Sequence, residues 1–261
     1  MRTRESTRPA VSVVIPVKDD STSLARCLAA LRAQSWTADE IIVVDNRSSD
    51  GSARTAKAGG ATVISWPEPG IPAASSRGYD SATGDLILRL DADCVPPTSW
   101  IEDIVTVFAE HPKVSALTGS ARFIDGPAAL RVPLARFYLC AYAVATIPAL
   151  GHPPLFGSNL AMRRDAWEAV KASVHRDDPD LHDDLDLSFH IGARHRIRYL
   201  KAAPMGISMR PFRSVRSFGQ RIYRGFRTVV IHWPLDFPPR RWGRMIGTAL
   251  RDRKAPAKVL R

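Results

Sequence analysis

Asp91 and Asp93 stand one residue apart at the end of the apolar run Leu86-Ile87-Leu88-Arg89-Leu90. Two carboxylates this close repel each other unless a cation or ligand hydroxyls lie between them, so the pair points to a divalent metal. The plainer alternative is a strand that ends in an acidic turn. A second acidic group, Asp183-Asp184-Leu185-Asp186, reads either as acids set against a helix dipole or as the source of a general base. His182 and His190 flank it, and lone histidines more often satisfy local hydrogen bonds than bind metal. Asp45 follows another apolar run and can accept a hydrogen bond from the imide N–H of uracil, or from the ring N–H of guanine or thymine. The turn from Pro16 through Val17 to Lys18 can meet a base edge, while Asp20 and Asp45 also read as helix-capping acids.

The elements that must position these groups alternate strand with helix. Val11–Ile15, Ile41–Val44, Thr62–Ile64 and the run before Asp91 read as buried strands. Leu24, Cys27, Leu28 and Leu31 mark the buried face of a first helix. A short helix through Lys57, one near Ala73–Ala82 and one carrying Trp100, Ile101, Ile104, Val105 and Phe108 follow. This opening predicts an α/β fold with a mostly parallel sheet flanked by helices, and right-handed crossovers bring the ends of strands 1, 2 and 4 to one edge. No G-x-G-x-x-G follows the first strand, so phosphates must be held otherwise, and a metal on Asp91 and Asp93 would do it.

Composition narrows the class. With 45% apolar residues, 261 residues can bury one substantial core plus an appendage. Cys27, Cys94 and Cys140 are too few and too scattered for a disulfide framework or a zinc cluster, which suggests a reducing compartment. No secretory signal pattern is visible at the start. The longest uncharged apolar stretch, Phe137–Leu150, falls short of the about 18 residues of a spanning helix, so the expectation is that the chain does not cross a membrane, and a core helix is the favoured reading of that stretch.

The net charge of +11 lies in the carboxyl-terminal part. From Arg210 onward fourteen Lys and Arg face only Asp236 and Asp252. Val215, Phe218, Ile222, Phe226 and Val229 form one apolar stripe between Arg213, Arg216, Arg221, Arg224 and Arg227. Trp242, Met245, Ile246, Ala249 and Leu250 form another, edged by Arg240, Arg241, Arg244, Arg251 and Arg253. Basic amphipathic helices of this kind suit an anionic lipid surface. The expected organisation is a tail over 1–9, a catalytic domain over 10–209 and a basic helical region over 210–261.

The segments VSVVIPVKDD, IIVVDNRSSDG, SATGDLILRLDADCVP, LFGSNLAMRRDAW, HDDLDLSFHI and SFGQRIYRG occur in that order. Together, over residues 10–230, they resemble the inverting family 2 glycosyltransferases of the GT-A fold; it is the order that is specific, since each alone is weak. The resemblance implies that Asp45 recognises the base of a nucleoside-diphosphate sugar, with Pro16, Val17 and Asp20 in the same pocket. It implies that Asp91 touches ribose and metal, that Asp93 coordinates Mn²⁺ or Mg²⁺, and that Asp184 is the catalytic base. Gly157, Ser158 and Asn159 would border the donor sugar and acceptor, and Gln220, Arg221 and Arg224 would reach the diphosphate or acceptor. Two positions depart from the pattern. Asp183 replaces the usual Glu, which leaves the base open between Asp183 and Asp184. Ser75 and Ser76 stand where many members carry Arg-Asn, and the neighbouring Arg77, a candidate for the missing cation, lies about 200° round a helix from Ser75.

Transfer of a sugar from a diphosphate needs cations on the leaving group and a base for the acceptor hydroxyl. The expectation is therefore an inverting enzyme adding one sugar, from a donor that is UDP-linked, to a hydroxyl on a lipid-linked or cell-envelope glycan. It would sit in the cytoplasm, peripherally held at the inner face of the cell membrane. The alternatives are a sugar-phosphate nucleotidyltransferase, which should carry a glycine-rich loop after strand one, and a non-enzymatic nucleic-acid-binding protein, which leaves the ordered acids unexplained. No nucleic-acid partner is expected.

Overall fold

A computed structural model describes residues 8–68, 70–212 and 214–254. Most of the expected 1–9 tail lies outside the described residues, as do Arg213 and the side chains of Val215, Ala249, Leu250, Arg251 and Arg253. The first half runs β1 (Val11–Val17), α1 (Ser21–Arg32), β2 (Glu40–Asp45), α2 (Ser52–Ala58), β3 (Thr62–Ser65), α3 (Ile71–Ser81), β4 (Leu86–Arg89) and α4 (Trp100–Glu110). The second half runs β5 (Val114–Phe123), α5 (Arg131–Leu150), β6 (Leu160–Arg163), α6 (Arg164–Val170), α7 (Asp183–Gly192), β7 (Arg196–Ile207), α8 (Val215–Ile231) and α9 (Pro238–Lys254).

The seven strands form one sheet in the order β3-β2-β1-β4-β6-β5-β7. β1 pairs in parallel with β2 and β4, and β2 with β3, as the alternating sequence predicts. β6 runs antiparallel to both β4 and β5, and β7 returns parallel to β5. The orientation of β6 matters for the site. Arg89 at the end of β4 lies opposite Leu160 at the start of β6, so the segment before β6 arrives at the edge where β1, β2 and β4 end.

Burial explains the strand assignments. Val11, Val13, Val14 and Ile15 of β1 are fully buried, as are Ile87 and Leu88 of β4, because helices cover both faces of the sheet. Leu24, Cys27, Leu28 and Leu31 of α1 and Trp100, Ile101, Ile104, Val105 and Phe108 of α4 close one face. Tyr79, Trp167, Leu187 and Ile191 close the other. Each such side chain contributes about 1.5–3 kcal/mol through removal from water.

α5 departs from expectation. It is a twenty-residue helix ended by Gly151 in the left-handed conformation, φ 78°, which glycine adopts without strain. Phe137 and Val144 are 71% and 68% exposed, so it is no core helix. With the turn before it, Ala128–Leu150 is long and apolar enough, by length and composition alone, to cross a membrane, and only 17% of its apolar window is buried. The uncharged stretch from Phe137 ends at Arg136, but the helix continues through Arg131, which is why the sequence understates its length.

Candidate active site

The carboxyl ends of β1, β2 and β4, the start of α7 and one face of α8 surround an open cleft of about 650 Å³. Pro16, Val17 and Asp20 line it after β1, and Asp91 and Asp93 after β4. Asp183 and Asp184 enter from α7, Ser158 from the segment before β6, and Gln220, Arg221 and Arg224 from α8. Acids and cations more than a hundred residues apart in sequence thus share one wall.

A cation that the sequence reading passed over joins them. Arg89 is 3% exposed, and its Nη2 lies 2.9 Å from Asp91 Oδ1 and 3.2 Å from Asp183 Oδ2. Ser75 Oγ donates to the same Asp183 oxygen at 2.9 Å. The cation absent from the Ser75-Ser76 positions therefore comes from the adjacent strand. Arg77 does not supply it: it is exposed, off the cleft, and lies over the Trp66 ring at 5.7 Å. Arg89 was hidden in an otherwise apolar run. A charge there is itself a signal, because arginine is almost never fully buried unless paired.

Gly157 is explained by the same arginine. A Cβ at this position would lie 1.4 Å from Arg89 Nη1, so only glycine leaves the guanidinium room. Its N–H donates to Asp184 Oδ2 at 2.9 Å. Ser158 Oγ donates to Asp91 Oδ2 at 2.6 Å. Asn159, in contrast, is 2% exposed and does not border the cleft. Its amide accepts from Trp100 Nε1 at 2.9 Å and donates to the Ser120 carbonyl at 2.9 Å, so it ties α4 to β5.

The two acids of α7 are held differently. Burial pushes the Asp183 carboxyl up, and the Asp184 and Asp91 charges add to this against the pull of Arg89. Burial would also raise Asp184, but His182, Arg89 and the Gly157 N–H outweigh it and hold the carboxyl at about 2. Asp184 is thus ionised at neutral pH. Its Oδ1 has no hydrogen-bond partner among the described residues, His182 Nδ1 standing 3.5 Å away. Both carboxylates line the cleft, and Asp184 is the one held ionised at neutral pH.

Arg210 is the second cation that sequence reading missed, since it counts there only as the first charge of the basic region. Its Nη2 lies 2.9 Å from Asp93 Oδ2 and also pairs with Asp20. Burial and the Asp91 charge raise the Asp93 carboxyl despite this arginine. The residual negative charge fits a hard divalent cation held by Asp91 and Asp93. Cys94 Sγ stands within 4.8 Å of their oxygens, but burial and both carboxylates push its thiol well up, so it remains S–H.

Asp45 stands beside the cleft rather than on its wall. It is 8% exposed, lies opposite Val17 in the sheet, and its Oδ1 accepts the Ser48 N–H at 3.1 Å. The adjacent Asn46 lines the cleft and steadies its rim, donating to the Glu68 carbonyl at 2.5 Å and accepting from Gly70 N at 3.2 Å. Tyr138 of α5 adds a hydroxyl 3.5 Å from Arg221 Nη1.

Comparison with known proteins agrees with this architecture. Residues 12–170 match the family model for glycosyl transferase family 2. A glycosyltransferase of Haloferax volcanii, AglE, is 33% identical over 105 residues, 37% of this chain and 34% of that protein. An uncharacterised glycosyltransferase of Mycobacterium tuberculosis is 38% identical over 84 residues, 32% of this chain and 37% of that one. The matched segments thus span about a third of these relatives. Among solved structures, a Pyrobaculum calidifontis mannosyltransferase in complex with GDP-Man and Mn²⁺ superposes with a TM-score of 0.66 at 18% identity, over 97% of this chain and 77% of that one. Glucosyl-3-phosphoglycerate synthase of M. tuberculosis, in complex with Mn²⁺, UDP-glucose and phosphoglyceric acid, gives 0.59 at 19% identity, over 85% and 79%. The mostly parallel seven-stranded sheet flanked by helices matches these GT-A neighbours, and the chain belongs to glycosyl transferase family 2.

Proposed function

We propose that the chain is a metal-dependent inverting glycosyltransferase that moves one sugar from a nucleoside-diphosphate sugar, UDP-linked, to a hydroxyl acceptor. The observation that carries this reading is the single Arg89 Nη2 touching both Asp91 and Asp183, which puts the cation-binding acids and the α7 acids on one cleft wall. Asp91 and Asp93 would hold Mn²⁺ or Mg²⁺, which when bound offsets charge on the diphosphate. Arg221 and Arg224 face the same cleft and offer further positive charge to the leaving group. Asp184 accepts the proton of the acceptor hydroxyl as that oxygen attacks the anomeric carbon. One base and no carboxylate nucleophile is what a single displacement with inversion requires. The solved neighbours with GDP-Man and UDP-glucose support a nucleotide-sugar donor of this general kind.

The surface around the cleft supports a lipid-linked or envelope-glycan acceptor and peripheral binding at the inner membrane face. Phe137 and Val144 of α5, Ile222 and Phe226 of α8, Trp233, Leu235 and Phe237 before α9, and Trp242 and Ile246 of α9 are all exposed. On α8 the arginines at 221 and 224 line the cleft while Phe218, Ile222 and Phe226 face solvent. Aromatic and aliphatic side chains beside basic ones suit an anionic interface.

A thermal-shift screen of nucleoside-diphosphate sugars with and without Mn²⁺ tests the reading. The true donor at about a hundred times its Kd stabilises by roughly 2.7 kcal/mol, and only with the metal. A chain that no nucleotide sugar stabilises, with Mn²⁺ or Mg²⁺, is not this enzyme.

A further inference from the structure

Away from the cleft, at the junction of α7 and α8, three histidines close on one carboxylate. Asp186 and His190 project from the same face of α7, four residues apart; His175 comes from the loop after α6, and His232 directly follows α8. Asp186 Oδ1 lies 2.7 Å from His175 Nδ1, 3.3 Å from His232 Nε2 and 3.6 Å from His190 Nε2. All four ligand atoms fall within 4.8 Å of one another. Ligands bound tetrahedrally at the zinc–nitrogen distance of about 2.0–2.1 Å lie about 3.3 Å apart, and the 2.7–3.6 Å separations of the three ring nitrogens from Asp186 Oδ1 bracket that value.

Two features of the cage point to a ligand. His190 Nε2 and His232 Nε2 are buried and make no hydrogen bond among the described residues, standing 3.6 and 3.3 Å from Asp186 Oδ1. His232 is 6% exposed, and an unpaired buried ring nitrogen costs about 1–3 kcal/mol. His232 is also preset for metal. Its Nδ1–H donates to the Thr228 carbonyl at 2.7 Å, which leaves the Nε2 lone pair facing Asp186, and its ring stacks on Phe189 at 4.0 Å. The second carboxylate oxygen, Asp186 Oδ2, is held by the His175 N–H at 3.0 Å, so Oδ1 is oriented inward.

We propose that His175, Asp186, His190 and His232 bind one structural Zn²⁺. Three imidazoles and one carboxylate suit zinc better than the hard cations that Asp91 and Asp93 would hold. The site fastens the end of α8 to α7 and to the loop after α6. It therefore fixes Gln220, Arg221 and Arg224 relative to Asp183 and Asp184 across the cleft, without touching substrate.

The full chain, without a histidine tag, is expressed in zinc-supplemented medium, dialysed, and assayed for metal by mass spectrometry. About one zinc per chain is expected to survive dialysis, to be unaffected by Asp93→Asn and to be lost in His232→Gln. Cobalt exchanged into the wild-type chain should give the intense visible absorption of a four-coordinate site, a readout that does not depend on folding of the variant. Zinc-free wild-type protein with only the weak absorption of six-coordinate cobalt would overturn the assignment. Loss of zinc in Asp93→Asn with retention in His232→Gln would overturn it equally.

Discussion

Replacing Arg89 by methionine keeps most of the side-chain length and removes the charge between Asp91 and Asp183. Both contacts are direct, at 2.9 and 3.2 Å, and the guanidinium is 3% exposed, so solvent cannot replace it. Breaking a buried ion pair from one side costs about 3–5 kcal/mol, because the partner charge stays behind. In a chain of this size that lowers the melting midpoint by roughly 6–20 °C. The penalty should depend on pH with a definite sign. Asp183 already has a raised pKa in the presence of Arg89, and loss of the cation raises it further. A carboxyl whose folded pKa lies above its unfolded value favours folding at low pH and loses that contribution as pH rises through the folded value. The deficit of Arg89→Met is therefore largest near pH 8 and shrinks towards pH 5. Urea unfolding at both pH values measures it, and the added change Asp183→Asn should restore part of the stability at pH 8. A deficit below about 1 kcal/mol at pH 8, or one that grows on acidification, would refute the claim that Arg89 is the buried counter-ion of the site.

Other outcomes follow from the same geometry. Gly157→Ala places a methyl 1.4 Å from Arg89 Nη1 and should destabilise by about 1–3 kcal/mol in urea, with a smaller effect when Arg89 is also alanine. Loss of turnover at low pH should arise from protonation of Asp93, whose pKa is raised, and not from Asp184, held at about 2. Metal competes with protons there, so raising Mn²⁺ should move the acid limb to lower pH; a limb insensitive to Mn²⁺ would contradict this. The full chain should float with anionic liposomes at low salt, and Phe226→Ser, which removes a 67% exposed phenyl, should weaken binding about tenfold. A wild-type chain left in the soluble fraction would rule out the membrane role.

The parallel half of the sheet was readable because β1, β2 and β4 are buried on both faces and so appear as continuous apolar runs. The acids after β4 and at the start of α7 were readable because Asp91, Asp93, Asp183 and Asp184 sit in short ordered motifs. What stayed hidden is pairing across distance. Arg210 meets Asp93 from 117 residues away, and His232 meets Asp186 across a helix junction, so no local spacing records either contact. Asn159 sits in the same motif as the cleft residue Ser158 yet serves the core, because a residue's neighbours in space decide its work. α5 illustrates the converse: its composition suits a core helix, and only the exposure of Phe137 and Val144 shows that it is not one.

Donor binding and turnover in Asp184→Asn, compared with wild type using the sugar nucleotide found by the thermal-shift screen, test the central assignment most directly. The amide keeps the shape of the carboxylate and cannot accept the acceptor's proton. Donor affinity should stay within about twofold while kcat falls by about a hundredfold or more. Turnover within about threefold of wild type, or loss of donor binding in step with loss of turnover, would show that Asp184 is not the base.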